Sequence, residues 1–239
     1  MSNDVKLQEF AENLGLHFKN QTLLQQVFVH RSYLNEHRSF ELQHNERLEF
    51  LGDAVLELVT TEYLYLRYEN PEGELTNWRS ALVRGEMLAK IANKLGINDF
   101  LLLSKGEQRS QGKARQLILA NAFEALIGAI YLDLGYEETQ RFLETQLLSK
   151  LEEVLSQRLH IDSKSDLQEK SQEQFGVTPT YTILSSSGPD HDRQFTVGAY
   201  IDAVLIAKGN GQSKQKAEQA AASAALENWP QLLLKLKNK

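Results

Sequence analysis

Cysteine is absent from the 239 residues. No disulfide can form, no thiolate can act on a substrate, and any metal site must be built from oxygen ligands or from the six histidines. A basic excess is missing too: the formal net charge is −6, which at first reading speaks against a polyanionic partner. The first ten residues carry Asp4, Lys6 and Glu9 and lack the apolar run with a basic flank that a secretory signal requires, so a cytoplasmic location is expected. No internal repeat or low-complexity tract is evident.

What is present is unevenly spread. Residues 1–161 hold 17 Lys and Arg against 23 Asp and Glu, whereas residues 162–239 hold 9 of each, so the whole acidic excess lies in the first two-thirds. A neutral segment still binds a polyanion if its lysines cluster, and acid concentrated elsewhere suits cation coordination. With 41% hydrophobic residues, the chain can bury one large core or two modest ones.

From residue 5 to about 158 the apolar residues recur at three and four, with no alternating run long enough for a strand, which predicts an all-α segment. Residues 45–68 read as one helix with Leu48, Leu51, Val55 and Leu58 on a single face, ended by the turn Asn70-Pro71-Glu72-Gly73. Residues 75–95 read as the next helix, closed by Gly96, and residues 104–113 as a polar loop. Residues 117–132 are apolar almost all round, and Gly135 separates them from a last amphipathic helix over 137–155. The polar stretch 156–166 loses the stripe and is the candidate linker. Beyond it the period changes to two: Phe195, Val197, Ala199 and Ile201 alternate, between shorter strands at 180–183 and 204–206. Helices are expected over 166–175 and 213–227, and the order α-β-β-β-α suits two helices on one face of an antiparallel sheet.

Glu46, Glu49 and Asp53 fall at i, i+3 and i+7 of the first long helix, which stacks three carboxylates on one stripe. Such charges repel one another. A divalent cation relieves the repulsion, and Mg²⁺ prefers carboxylate and water oxygens. A solvated face paired with arginines gives the same stripe in a chain that is 24% charged. The apolar run 117–132 is interrupted by Asn121 and Glu124 at i, i+3. It falls short of the ~20 residues a bilayer span needs and carries a carboxylate near its centre, so no membrane partner is expected. An ionised glutamate there is costly unless an arginine or a metal compensates it. Together the two helices would offer five oxygen ligands suited to phosphodiester hydrolysis, in which metal ions activate a water, neutralise the phosphate and stabilise the leaving 3′ oxygen.

The run Asn45-Glu46-Arg47-Leu48-Glu49-Phe50-Leu51-Gly52-Asp53-Ala54-Val55-Leu56 resembles the ribonuclease III signature. Leu82-Val83-Arg84-Gly85 and Glu124-Ala125-Leu126-Ile127-Gly128 match further blocks of that family in the expected order. The resemblance implies an all-helical nuclease domain that works as a homodimer, each subunit's site cutting one strand of double-stranded RNA. Carried over position by position, Asp53 and Glu124 would be the catalytic pair. Glu49, Asp53, Asn121 and Glu124 would hold Mg²⁺, with Mn²⁺ able to substitute, and Glu46 would be an accessory acid lining the cleft. Phe50 falls where the family has a dimer-interface plug, with core packing as the alternative. Glu72 matches a residue near the cut site, with a solvated loop acid as the alternative. Many members have aspartate where this chain has Asn121; the amide oxygen can still coordinate, but the site loses one negative charge and some affinity.

The C-terminal segment resembles a double-stranded-RNA-binding domain. Gln168 and Gln172 lie one turn apart on its first helix, where their amides could meet ribose hydroxyls and base edges in a minor groove. His191, in Gly188-Pro189-Asp190-His191, falls in the loop that relatives insert into the next minor groove. Ser213 is the expected N-cap of the last helix, with Lys214 and Lys216 at its positive end, facing phosphates. Many relatives have lysine where this chain has Gln215.

The expected organisation is mainly α: an all-α endonuclease domain (1–158), a linker (159–164), a small α+β RNA-binding domain (165–232) and a basic tail (233–239). The expected activity is Mg²⁺-dependent cleavage of double-stranded RNA leaving 5′-phosphate and 3′-hydroxyl ends, with a role in rRNA and mRNA processing. The alternative is a double-stranded-RNA-binding protein whose helical domain has decayed to a dimer scaffold, with Asn121 as the mark of decay.

Overall fold

The three-and-four spacing becomes α1 (Asn3–Asn13), α2 (Gln21–Val27), α3 (Arg31–Glu36), α4 (Glu46–Arg67), α5 (Glu72–Val83), α6 (Gly85–Lys94), α7 (Lys105–Gln108), α8 (Gly112–Leu134), α9 (Tyr136–Gln146) and α10 (Leu151–Ser156). The computed structural model describes residues 3–156, 163–189 and 193–237. It divides the chain into two compact units, Met1–His160 and Ile161–Lys239.

In the first unit α8 packs along both α4 and α6. The contact with α4 is backbone on backbone, because two glycines remove the side chains that would hold the helices apart. A Cβ on Gly52 would lie 1.8 Å from the Glu124 carbonyl oxygen, and one on Gly128 would lie 2.2 Å from that of Leu48. Around this seam Leu56, Val59, Phe123, Leu126 and Ile127 are fully buried. Each such side chain stabilises the fold by about 1.5–3 kcal/mol.

The buried face of α4 is Leu48, Gly52, Val55, Leu56, Val59, Thr60 and Leu64. Leu58, expected on that face, is instead 56% exposed, because the stripe drifts with the 3.6-residue turn. The single helix expected over 75–95 is broken at Arg84, whose φ −65° and ψ 143° are extended and redirect the chain so that α6 reaches α8. A second expected helix, 137–155, is divided by a 3-10 turn at Leu148–Lys150, and Leu147, Leu148, Leu151 and Val154 all reach the core across the break. The polar loop after Leu103 contains the short α7, capped by Ser104. At 23 residues α8 is long enough to cross a membrane, so the length argument against a span does not hold. Eleven of its residues are buried against this unit's other helices, as in a core helix.

The second unit runs α11 (Ser163–Phe175), β1 (Thr180–Ser187), β2 (Gln194–Ile201), β3 (Val204–Gly211), α12 (Lys214–Glu227) and α13 (Trp229–Lys237). The strands form an antiparallel sheet in the order β1-β2-β3, pairing Thr180 with Tyr200 and Phe195 with Gly211. The alternation seen in the sequence is the pleat: Val197, Ala199 and Ile201 are buried. Glycines again permit a close approach. A Cβ on Gly209 would lie 2.1 Å from the Ala221 nitrogen, so α12 rests on β3 through Ala217, Ala221, Ala222 and Ala225, all fully buried. The first helix opens at Ser163, within the stretch read as linker, and part of the stretch read as a tail is helical in α13.

Candidate active site

Gly52 and Gly128 decide what faces what. With α4 and α8 in backbone contact, the stripe Glu46–Glu49–Asp53 on one helix meets Asn121 and Glu124 on the other. The electrostatics report the meeting. Burial raises the Glu124 carboxyl to about 7 from an ordinary 4.5, and the neighbouring Asp53 and then Glu49 push in the same direction. Glu49 is also raised, by burial first, then by Glu46, with Asp53 adding less. A hydrogen bond from the Asn121 side chain works against that rise. Among the described residues no Lys, Arg or His forms an ion pair with either carboxyl.

Half-buried acids that burden one another without a basic partner have the chemistry of a divalent-cation site. Among the described residues no group of three His, Asp or Glu side chains closes on a single point. The residues nevertheless fit a hard cation such as Mg²⁺, which keeps several waters and needs only one or two carboxylates from the protein. Glu49, Asp53, Glu124 and the Asn121 amide are the groups that could hold it.

Glu46 sits at the edge of this group. Its carboxylate is 3.3 Å from Arg31 Nη1 and 3.7 Å from His44 Nδ1. His44 is two residues from Glu46, but Arg31 lies fifteen positions away with no local pattern to connect it to Glu46. The hydrogen bond from Asn121 to Glu49 is likewise invisible to spacing.

Two residues stand apart from the acids. Phe50 is 82% exposed on α4, so core packing within the subunit does not explain it. Glu72 is the first residue of α5, not part of a turn, and its Oε1 accepts a hydrogen bond from Thr76 Oγ1 at 3.0 Å. It lines a groove of about 660 Å³ with Leu64, Tyr65, Tyr68 and Arg79. Leu64 is roughly 17 Å along α4 from Asp53 at 1.5 Å per residue, so Glu72 is not brought into the acid stripe.

In the second unit Gln168 and Gln172 are exposed on α11. Gln168 lines a groove with Lys164, Tyr181, Gln215 and Gln219, so the position that departs from the family's lysine, Gln215, stands beside it. Lys164 bridges the helices through Glu218 at 2.6 Å and lies over the Tyr181 ring at 4.9 Å. Ser213 is the N-cap of α12, its hydroxyl accepting the Lys216 N–H at 3.2 Å, with Lys214 and Lys216 exposed at that helix end. His191 lies outside the described residues.

Comparison with known proteins defines the class. Residues 20–151 match the family described as Ribonuclease-III-like, and residues 163–228 match the double-stranded RNA binding motif. This is a nuclease fold followed by a duplex-RNA-binding module. The Ribonuclease 3 of Enterococcus faecalis is 44% identical over 93% of this chain and 97% of its own length. That of Desulforamulus reducens is 45% identical over 94% of this chain and 92% of its own. The crystal structure of the nuclease domain of a ribonuclease III from Campylobacter jejuni covers 61% of this chain and 94% of its own, at 41% identity and a TM-score of 0.52. The chain belongs to the ribonuclease III family and is an endoribonuclease of that family.

Proposed function

We propose that the chain hydrolyses double-stranded RNA at the α4–α8 seam with Mg²⁺ as the cofactor, Mn²⁺ substituting, and leaves 5′-phosphate and 3′-hydroxyl ends. The observation that carries this is the meeting of Glu49 and Asp53 with Asn121 and Glu124 across a glycine-lined backbone contact, with the Glu124 carboxyl raised to about 7. When bound, the cation supplies an activated water and charge neutralisation at the scissile phosphate. Glu49, Asp53, Glu124 and the Asn121 amide orient it. The catalytic pair is Asp53 and Glu124, and Glu46 lines the cleft as an accessory acid. Asn121 contributes no charge, so the chain requires more Mg²⁺ than an aspartate-bearing site would.

The second unit holds the duplex. Gln168 and Gln172 meet a minor groove, His191 the next one, and Ser213, Lys214 and Lys216 the phosphates between them, a pattern that recognises A-form shape more than sequence. Two copies act together, with Phe50 filling a socket on the partner. A cytoplasmic role in processing rRNA and mRNA follows from such a substrate.

Incubating a long RNA duplex with the protein and Mg²⁺ tests the reading. Shortened products that vanish with EDTA and in Glu124→Ala are expected. A mobility shift without cleavage supports the other reading, in which neutral Asn121 marks a helical domain kept as a dimer scaffold.

A further inference from the structure

An acid cleft that must accept a polyanion needs positive charge close to its carboxylates, and α4 itself offers none on the acid stripe. Arg31 supplies it from elsewhere in the chain. Its placement is built: the Asn45 backbone N–H donates to the Val29 carbonyl at 2.9 Å, and the Asn45 side chain donates to the Val27 carbonyl at 2.9 Å. Asn45 is 3% exposed, so segment 27–31 is fastened to the start of α4 from inside the core. His30 caps the short α3 through the Ser32 N–H, which sets the direction in which the chain leaves at Arg31. The guanidinium then stands 3.3 Å from Glu46, one turn of helix before Glu49.

We propose that Arg31 is a phosphate-binding residue of the nuclease unit, held beside the acid stripe by Glu46 and transferred to a backbone phosphate of the RNA duplex as it enters. The proposal rests on the nuclease reading above. Three features favour transfer over a fixed strut. The Arg31 and Glu46 side chains are 69% and 43% exposed, and ion pairs so exposed contribute little to stability, so the pair opens cheaply. A phosphate offers the guanidinium two parallel charge-assisted hydrogen bonds, a stronger partner than one solvated carboxylate oxygen. When protonated, His44, whose Nδ1 lies 3.7 Å from the other Glu46 oxygen and has no hydrogen-bond partner among the described residues, is an ion partner for Glu46 once Arg31 leaves.

The test measures duplex affinity against salt for the full-length chain carrying Glu124→Gln, with Mg²⁺ present, so that RNA is bound and not cut. Adding Arg31→Ala is expected to make the slope of log K against log salt shallower by about one, the loss of one phosphate contact, and to weaken binding roughly five- to tenfold at moderate salt. Arg31→Lys keeps the slope, and Arg31→Glu lowers affinity further. In the cleaving chain Arg31→Ala raises KM by the same factor and leaves kcat within about twofold, as loss of uniform binding does. Glu46→Gln, which releases the arginine, is expected to tighten binding. A chain that binds and cuts the duplex but whose salt slope is unmoved by both Arg31→Ala and Arg31→Glu overturns this assignment alone. A chain that neither binds nor cuts overturns the nuclease reading and this assignment with it.

Discussion

The two units use the same packing device for opposite ends. In the nuclease unit, Gly52 and Gly128 let two helices touch so that acids from both are pressed together, half buried, with charge left uncompensated. In the RNA-binding unit, Gly209 and the alanines of α12 let a helix settle on the sheet so that Lys214 and Lys216 stand out in solvent at a fixed place. Close packing therefore stores electrostatic tension in one unit and provides rigidity in the other. Chemistry needs the first and shape recognition the second.

The comparison breaks most visibly at Glu124. Glu124→Gln is expected to lower kcat by about 10⁴-fold, the several kcal/mol that a metal site supplies, while duplex affinity stays within about threefold. Single-turnover cleavage and a mobility-shift titration on the same preparation check both halves. Next in size are the glycines. Gly128→Val forces a side chain into backbone 2.2 Å away and is expected to destabilise the nuclease unit by about 3 kcal/mol or more. Gly209→Val should do the same to the RNA-binding unit, so that calorimetry finds a different transition lowered in each variant. Replacing Lys214 and Lys216 together by alanine is a smaller change. The salt slope of duplex binding falls by about two, and kcat at saturating RNA is unchanged.

Asn121→Asp sharpens the picture with the smallest effect. The added charge is expected to lower the half-saturating Mg²⁺ concentration for cleavage about fivefold, equivalent to about 1 kcal/mol. Because the aspartate cannot donate to Glu49 as the amide does, the same variant should be less stable than the natural chain in EDTA. An unchanged Mg²⁺ requirement would show that residue 121 does not touch the ion.

Much of this was legible in the sequence because it depends on local periodicity. The helices α4 and α8, the switch to alternation at Phe195, the Ser213 cap and the acid stripe all follow from spacing of 3.6 or 2. What escaped depends on tertiary context. Arg84 carries no breaker signal, yet the chain turns there because α6 must reach α8. Leu58 looks like a core leucine until the stripe's drift is followed over three turns. The same limit holds at the site. Glu46, Glu49, Asp53, Asn121 and Glu124 could be named from two helical patterns, but Arg31 beside Glu46 and the amide of Asn121 on Glu49 are contacts between segments that no spacing connects.

Thermal unfolding as a function of pH and Mg²⁺ tests the shared-cation claim without RNA. Burial, Asp53 and Glu49 hold the folded Glu124 carboxyl at about 7 against an ordinary 4.5. Between those values the folded chain keeps a proton that the unfolded chain has released, so the metal-free protein loses stability as pH rises through that window. Above it, Mg²⁺ should raise Tm with a saturating dependence on concentration, because it binds the folded state alone. In Glu49→Gln/Glu124→Gln both the pH slope and the Mg²⁺ response are expected to disappear. A natural chain whose Tm ignores Mg²⁺ at pH 8, or a double variant that responds to it as strongly, would contradict a cation held between α4 and α8.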